Sequence, residues 1–134
     1  MKVKPFIKVC ESAVLRRSVV VCCGPRERLR KLFFDPETFG RYNLPKRVLR
    51  ANWREIKRAW DDTGLGSGGA LGFTLKYKGD VFVVLPEWDS RVFVHEAYHV
   101  AQAVLRCVGT QDEELGAFLV EWLFEELCWK EKKG

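Results

Sequence analysis

The chain has only two histidines, and both belong to one five-residue motif of the form HExxH, His95-Glu96-Ala97-Tyr98-His99. Around this motif apolar residues recur at steps of four and three, which predicts an amphipathic helix over residues 91–108. Residues four positions apart on a helix lie one turn apart on the same face. The two imidazoles must then lie side by side, and a helix with paired histidines is the strongest constraint on how this chain folds.

Two imidazoles at this spacing can reach one zinc ion, at about 2.0–2.1 Å each, so His95 and His99 are candidate ligands. Glu96 is the candidate general base, because its carboxylate can accept a proton from a zinc-bound water and later pass it on. Zinc lowers the pKa of such a water to about 7, so the pattern predicts metal-dependent hydrolysis near neutral pH. Two alternatives stay open: a chance match to a short motif, and a metal that only stabilises the fold without catalysis.

A catalytic zinc usually has three protein ligands and one open position, and no histidine remains to be the third. The third ligand must then be a carboxylate, a cysteine or absent. Residues 112–128 predict a second helix that folds back against the first. Glu114 at its start is the candidate third ligand, preferred over Glu113 because Gly116 and the alanine after it allow close helix approach. Both acids could instead serve only to stabilise the helix, through a favourable interaction with the positive end of its dipole. Glu121, two turns on, could support a ligand or simply be exposed.

The two segments that carry these candidates resemble a known family. Residues 94–101, which contain the HExxH motif, and residues 114–120, Glu-Leu-Gly-Ala-Phe-Leu-Val, are similar to small metallopeptidases encoded by tailed bacteriophages. That family is similar to the gluzincins, in which HExxH is joined by a glutamate from a later helix. The resemblance covers the last part of the chain, from the predicted hairpin onwards. It implies a zinc metallopeptidase that hydrolyses peptide bonds.

By the same resemblance, His95, His99 and Glu114 map to zinc ligands and Glu96 maps to the general base. Larger gluzincins often carry an aspartate four residues after the ligand glutamate, whereas this chain has Phe118 there. The orientation of the third ligand by an aspartate is therefore not expected. The expected cofactor is Zn²⁺, and the expected partner is a peptide or protein substrate, such as a single host or phage protein.

Zincins bind an extended peptide along an edge strand beside the active-site helix, by β-addition. The sequence does not reveal which strand is the edge. It also leaves the residue that stabilises the oxyanion open among Tyr42, Tyr77 and several arginines. Tyr98 is a poor candidate for that role, because it points about 100° away from His99 on the helix.

Other patterns predict the rest of the fold as a single α+β domain over residues 1–134, which the resemblance implies is zincin-like. A small antiparallel sheet packs on helices, with the zincin-like helix followed by the ligand-bearing C-terminal helix. The Gly-rich stretch 64–69 lacks the Lys-Ser/Thr pair of a phosphate-binding loop, so it predicts a mobile loop beside a cleft. The remaining predicted elements are a strand over 18–23, helices over 26–34 and 46–60, and hairpin strands over 71–77 and 81–85 around a turn at Gly79-Asp80.

Five cysteines without metal-type CxxC spacing predict free, mostly buried thiols and a reducing cytoplasm, the host cytoplasm if the chain is phage-encoded. No apolar run is long enough to cross a bilayer, so no membrane partner is expected. Residues 1–60 hold 16 Lys/Arg against 5 Asp/Glu, whereas residues 61–134 hold 7 against 13. The basic half could bind nucleic acid with Trp53 or Trp60 stacking on bases. That alternative is not favoured, because both Trp follow the core-facing stripe of their helix.

Overall fold

The computed structural model describes residues 3–12, 17–109 and 112–133, with the side chains of 12, 17, 107, 108 and 127–133 left aside. In this part of the chain four strands form one mixed sheet in the order β1-β2-β4-β3. Strands β2 and β4 are parallel, and the two outer pairs are antiparallel. The strands are β1 (Phe6–Ser12), β2 (Arg17–Cys23), β3 (Phe73–Tyr77) and β4 (Asp80–Leu85).

Helices cover both faces of this sheet. Strand residues alternate between the faces, so the apolar runs of β2 and β4 are buried on both sides. Val21, Val83 and Leu85 pack against α4 and α5, whereas Val20 and Phe82 pack against α1, α2 and α3. The helices are α1 (Arg26–Phe33), α2 (Pro36–Phe39), α3 (Lys46–Thr63), α4 (Ser90–Val108) and α5 (Glu113–Lys133), with a 3₁₀ turn over Gly40–Tyr42.

The α+β class is confirmed, but the predicted all-antiparallel sheet is wrong. The chain leaves β2 through the three helices and returns as the hairpin β3-β4, and β4 inserts beside β2 in the parallel direction. Strand β1 was not predicted, because Pro5 and the lysines around it mask its short alternating pattern. The hairpin turns at Lys78-Gly79, one residue before the predicted position, with φ of 48° and 89° as in a type I′ turn. Helix α5 continues to Lys133, beyond its predicted end and through the predicted Lys-rich tail.

The Gly-rich stretch after α3 is a compact turn held by its own backbone. Gly69 N–H donates to the Gly64 carbonyl at 3.1 Å, and Ala70 N–H donates to the Thr63 carbonyl at 3.0 Å. Leu65 is buried in the core beneath it. A Cβ on Gly69 would press into the backbone of Thr63 and Gly64, so only glycine fits there. The turn delivers the chain directly to residues 70–72, which form one wall of the site described below.

The predicted buried thiols are confirmed at three positions, Cys10, Cys22 and Cys23, which are free and lie in the core. The side chains of Cys107 and Cys128 lie outside the described residues. Burial raises the pKa of the Cys23 thiol to about 12 and the pKa of the Cys22 thiol further still. Both thiols therefore stay protonated near neutral pH and offer no thiolate. Within the described residues, no helix is both long and apolar enough to cross a membrane.

Candidate metal centre

Helix α4 presents the HExxH motif at a position fixed by its caps and its buried face. The Asp89 carboxylate accepts hydrogen bonds from Arg91 N–H and Val92 N–H, which begins the helix as a side-chain N-cap. Gly109 ends the helix with a left-handed φ of 73°. The face opposite the motif is buried against the sheet and α5, at Phe93, Ala97, Val100 and Val104. Because these residues face inward, His95 and His99 point away from the core into solvent.

The two imidazoles lie at the separation that one tetrahedral metal ion requires. Their Nε2 atoms are 3.2 Å apart, and their ring planes are nearly perpendicular at 83°. Two nitrogens bound at about 2.0–2.1 Å with a tetrahedral angle between them are about 3.3 Å apart. The separation is therefore compatible with both rings binding one zinc ion. The same separation also permits a hydrogen bond between neutral rings, so the geometry alone does not require a metal.

Glu96 lies beside this pair and is only 5% exposed, which is unusual for an acid. The Thr74 hydroxyl on β3 donates to Glu96 Oε1 at 2.9 Å and also lies 3.3 Å from the Glu96 carbonyl oxygen. In the described part of the chain, no other side chain is recorded as a hydrogen-bond donor to this carboxylate. Thr74, on the sheet, therefore holds one oxygen of the Glu96 carboxylate, and the other oxygen is not bound by Thr74.

The chain just before β3 passes close enough to α4 to form a wall of the site. A Cβ on Gly72 would lie 3.0 Å from Val92 Cγ1 and 3.4 Å from Glu96 Cγ. These are tight contacts, so glycine is what allows the strand to approach the helix at this level. Sequence patterns singled out neither Gly72 nor Thr74. The only signals were a glycine and a hydroxyl in an otherwise apolar strand, and neither identifies its partner across the fold.

A cleft of about 540 Å³ opens where this wall meets the helix, which is within the size range of ligand sites. Its lining combines apolar side chains with the candidate chemistry, at Leu71, Val92, Arg91, His95 and Glu96. Strand β3 pairs with β4 on one side and is the edge of the described sheet on the other. The other edge is β1. Of the two, β3 is the edge whose Thr74 contacts Glu96 beside the cleft.

Of the candidate oxyanion residues, the two tyrosines lie away from the cleft, whereas one arginine lines it. Tyr42 and Tyr77 pack with the core on the α1–α3 side of the sheet, away from the cleft. Burial and the nearby Glu11 carboxylate raise the pKa of Tyr42. Arg91 lines the cleft, and its side chain is 94% exposed, with a weak 3.9 Å contact to the capping aspartate. An exposed guanidinium of this kind is free to turn toward a bound ligand.

Helix α5 packs antiparallel to α4, and two contacts fix the level of one helix against the other. Near the end of α4, Leu105 packs against Gly116: a Cβ added to Gly116 would lie 3.3 Å from Leu105 Cδ1. Near the start of α4, the rings of Phe93 and Phe124 are 5.2 Å apart. Between these contacts, the stretch of α5 around Glu121 lies level with the HExxH motif. The small-residue approach predicted for Gly116 is thus present, but it occurs at Leu105.

The structure does not bring Glu114 together with the histidines. Glu114 lies exposed in the first turn of α5, where its N–H donates to Asp112 Oδ1 at 2.9 Å. That turn is at the level of Leu105, six residues past His99 and so roughly 9 Å further along the axis. Within the described residues, no group of three His, Cys, Asp or Glu is placed to hold a metal. The assignment of Glu114 as third ligand stays a prediction. Glu121 lies at the level of the pair, but among the described residues it too forms no such group with the histidines.

No family model matches the chain, and no curated protein or solved structure matches it either. The resemblance to phage metallopeptidases therefore rests on the HExxH motif and the glutamate-containing helix after it. The histidine pair lies next to the buried Glu96 in the sequence, and the Thr74 hydroxyl and one cleft adjoin Glu96.

Proposed function

We propose that the protein is a zinc-dependent peptidase whose reaction takes place in the cleft between residues 70–72 and α4. The observation that carries the proposal is the 3.2 Å separation of the His95 and His99 Nε2 atoms beside a buried carboxylate. A histidine pair on a solvated helix face does not need a buried acid next to it for stability. Burial of an acid costs free energy, and here the hydrogen bond from Thr74 offsets that cost and orients the carboxylate.

His95 and His99 would hold the zinc ion through Nε2, and a carboxylate from α5 would complete the protein ligands. When bound, zinc would polarise the scissile carbonyl and acidify a coordinated water. Glu96 would accept the proton of the attacking water at the carboxylate oxygen that Thr74 leaves available, and would deliver it to the leaving amine. Thr74 would keep the carboxylate turned toward the cleft during both transfers. Arg91 would turn inward to stabilise negative charge on the carbonyl oxygen.

The substrate would bind as an extended peptide along the free edge of β3, since an edge strand offers unpaired N–H and C=O groups. The apolar side of the cleft, which includes the 71% exposed Leu71, would receive an apolar substrate side chain. The cleft is short, so we expect few substrates rather than broad digestion. By the family resemblance, these would be host or phage proteins.

Substitutions of two acids on α5 distinguish which of them is the third zinc ligand. Glu114 is predicted from the family resemblance, whereas Glu121 is favoured by its level along α5. Both side chains are exposed, so Glu114→Gln and Glu121→Gln should fold equally well. Zinc affinity is measured by competition with a chromogenic chelator. The variant that loses roughly tenfold or more identifies the ligand, and equal affinity in both would mean that neither acid binds zinc.

The experiment that tests the proposal compares Glu96→Gln with the parent in metal content and in peptide hydrolysis. We expect equal zinc in both by mass spectrometry, and hydrolysis of a quenched-fluorescence peptide library by the parent alone. Glu87→Gln is the matched control, because Glu87 is an exposed acid that precedes α4. Activity in Glu96→Gln equal to that of the parent would contradict the role of Glu96. Zinc without activity in both proteins would favour a purely structural metal site.

A further inference from the structure

A basic groove lies on the side of the sheet that is covered by α1–α3, opposite the side that carries the candidate metal centre. It lies between α1 and α3, has a volume of about 830 Å³, and includes five cationic side chains and one acid. The sequence shows that residues 1–60 are basic, but not that α1 and α3 bring these charges together. The basic groove is formed by Arg26, Arg30, Phe34, Arg50, Arg54 and Lys57.

The cations of the groove are arranged in two rows. Arg26 and Arg30 lie one turn apart on α1, and Arg50, Arg54 and Lys57 lie at steps of four and three on α3. Arg26 is held by Asp61 at 2.7 Å. Among the described residues, the other four cations form no ion pair or hydrogen bond through their side chains. Acidic residues are nevertheless present on the same two helices. Four unpaired cations facing one concavity repel one another, so the groove is suited to an anionic ligand.

An aromatic side chain lies among these charges. Phe34 is 37% exposed at the groove wall, and its ring lies 6.5 Å from that of Trp53. Trp53 itself is only 8% exposed, as its core-facing position in the sequence predicts, so it supports the wall and does not offer a free face. Phe34 is the ring available to a ligand in this groove.

We propose that the basic groove binds single-stranded nucleic acid. Arginine guanidinium groups bind phosphate oxygens in bidentate geometry, and four of the five groove cations are arginines. A flexible strand can follow a groove between two helices with its phosphates on the two cationic rows, and place a base against Phe34. An acidic peptide would use the cations but would leave the aromatic ring without a partner. The groove and the candidate metal centre lie on opposite faces of the sheet, so this proposal does not depend on the peptidase.

The test measures binding of fluorescein-labelled oligothymidylate, about 20 nucleotides long, by anisotropy from about 50 mM to 200 mM salt. For a single strand, each neutralised phosphate contributes about −0.7 to the slope of log K against log salt. Four contacts predict a slope of about −3 for the parent. No measurable binding at the lowest salt would overturn the proposal.

Two triple variants separate a built groove from a diffuse basic surface. The groove variant is Arg30→Ala, Arg50→Ala and Arg54→Ala. The control is Arg28→Ala, Arg47→Ala and Arg58→Ala, which removes the same three charges from exposed positions of the same two helices. We expect the groove variant to lose roughly tenfold or more in affinity and about 2 in slope, and the control to change by less than about threefold. Equal losses in the two variants would overturn the proposal.

The remaining arms test the ligand class. Phe34→Leu keeps an apolar side chain, so we expect it to weaken binding roughly tenfold with the salt slope unchanged. An unchanged affinity would remove the stacking role that distinguishes nucleic acid from other polyanions. Polyglutamate that competes as well as the oligonucleotide would assign the groove to acidic proteins instead. Tighter binding of a duplex of the same length would overturn the single-strand assignment.

Discussion

The hydrogen bond from Thr74 to Glu96 gives the sharpest test of the candidate site, because it can be measured without any substrate. Thr74→Val removes the hydroxyl and keeps the side-chain shape, so the buried carboxylate loses the donor at 2.9 Å. A hydrogen bond to a charged group contributes about 1.5–3 kcal/mol, and the loss leaves a buried acid without that donor. We therefore expect the free energy of unfolding to fall by about 2 kcal/mol. With an unfolding entropy of about 2.1 cal/mol/K per residue, this lowers Tm by roughly 7 °C.

The assay is chemical denaturation of four proteins: the parent, Thr74→Val, Glu96→Ala and the double variant. If the two side chains interact as described, the double-mutant cycle gives a coupling of about 1–3 kcal/mol. Thr38→Val is the control, since Thr38 is also half-buried but makes no recorded side-chain hydrogen bond with a described residue. Additive effects of the two substitutions would refute the reasoning. In a peptidase assay, Thr74→Val should lower kcat more than it raises KM, because Glu96 would be misdirected during proton transfer.

Three further predictions follow from local geometry. Gly72→Ala places a Cβ 3.0 Å from Val92 Cγ1. We therefore expect denaturation to show a loss of about 1–3 kcal/mol in the free energy of unfolding, together with weaker zinc binding. Unchanged stability would show that residues 70–72 can move away from α4 without cost. Lys78→Gly relieves a left-handed φ of 48° and should raise stability by about 1 kcal/mol in the same assay, unless the turn changes type. Iodoacetamide should label Cys22 and Cys23 at pH 8 only after unfolding, as read by peptide mass spectrometry. Because folding raises the pKa of Cys23 from 9.0 to about 12, its stabilising contribution is complete below about pH 9 and is lost as the pH rises toward 12.

Local patterns were sufficient for the elements that carry the chemistry, and insufficient for how those elements meet. The amphipathic period around the motif predicted α4 and the outward position of the histidines, because helix periodicity alone decides which face is buried. The caps of α4, Asp89 and Gly109, are local features of the same kind, since each acts within one turn of the helix end. Strand order was not readable. It depends on the crossover through α1–α3, so neither the parallel β2-β4 pair nor the edge position of β3 could be predicted.

The same limit explains the residues of the site that were missed or not brought together. Thr74 reaches Glu96 across 22 positions of sequence, and nothing local to a strand hydroxyl identifies a partner on another element. The prediction of Glu114 assumed that the small residue after it would lie near the histidines. In the structure Gly116 contacts Leu105 instead. Such a contact depends on how far α5 slides along α4, and that offset is decided by the packing of large side chains such as Phe124 on Phe93.

The exposure of the histidine pair leads to a final prediction about zinc and folding. His95 and His99 are both exposed, and the core beneath them is complete without a metal. In small zinc domains the metal supplies the folding free energy, and chelators unfold them. Here we expect the opposite: the chelated protein keeps its circular dichroism spectrum and melts cooperatively. Added zinc at about 100 times its Kd should then stabilise it by about 2.7 kcal/mol.

With the same unfolding entropy, that stabilisation corresponds to a rise in Tm of roughly 10 °C. The shift should disappear in His95→Ala and in His99→Ala, whose metal-free melting should match that of the parent because neither imidazole belongs to the core. Gln102→Ala, a half-buried polar position on the same helix, controls for changes in helix stability. Unfolding of the parent by a chelator would assign the metal a structural role. A zinc-dependent shift that survives in both histidine variants would place the metal elsewhere, and the paired imidazoles would then have no role in binding it.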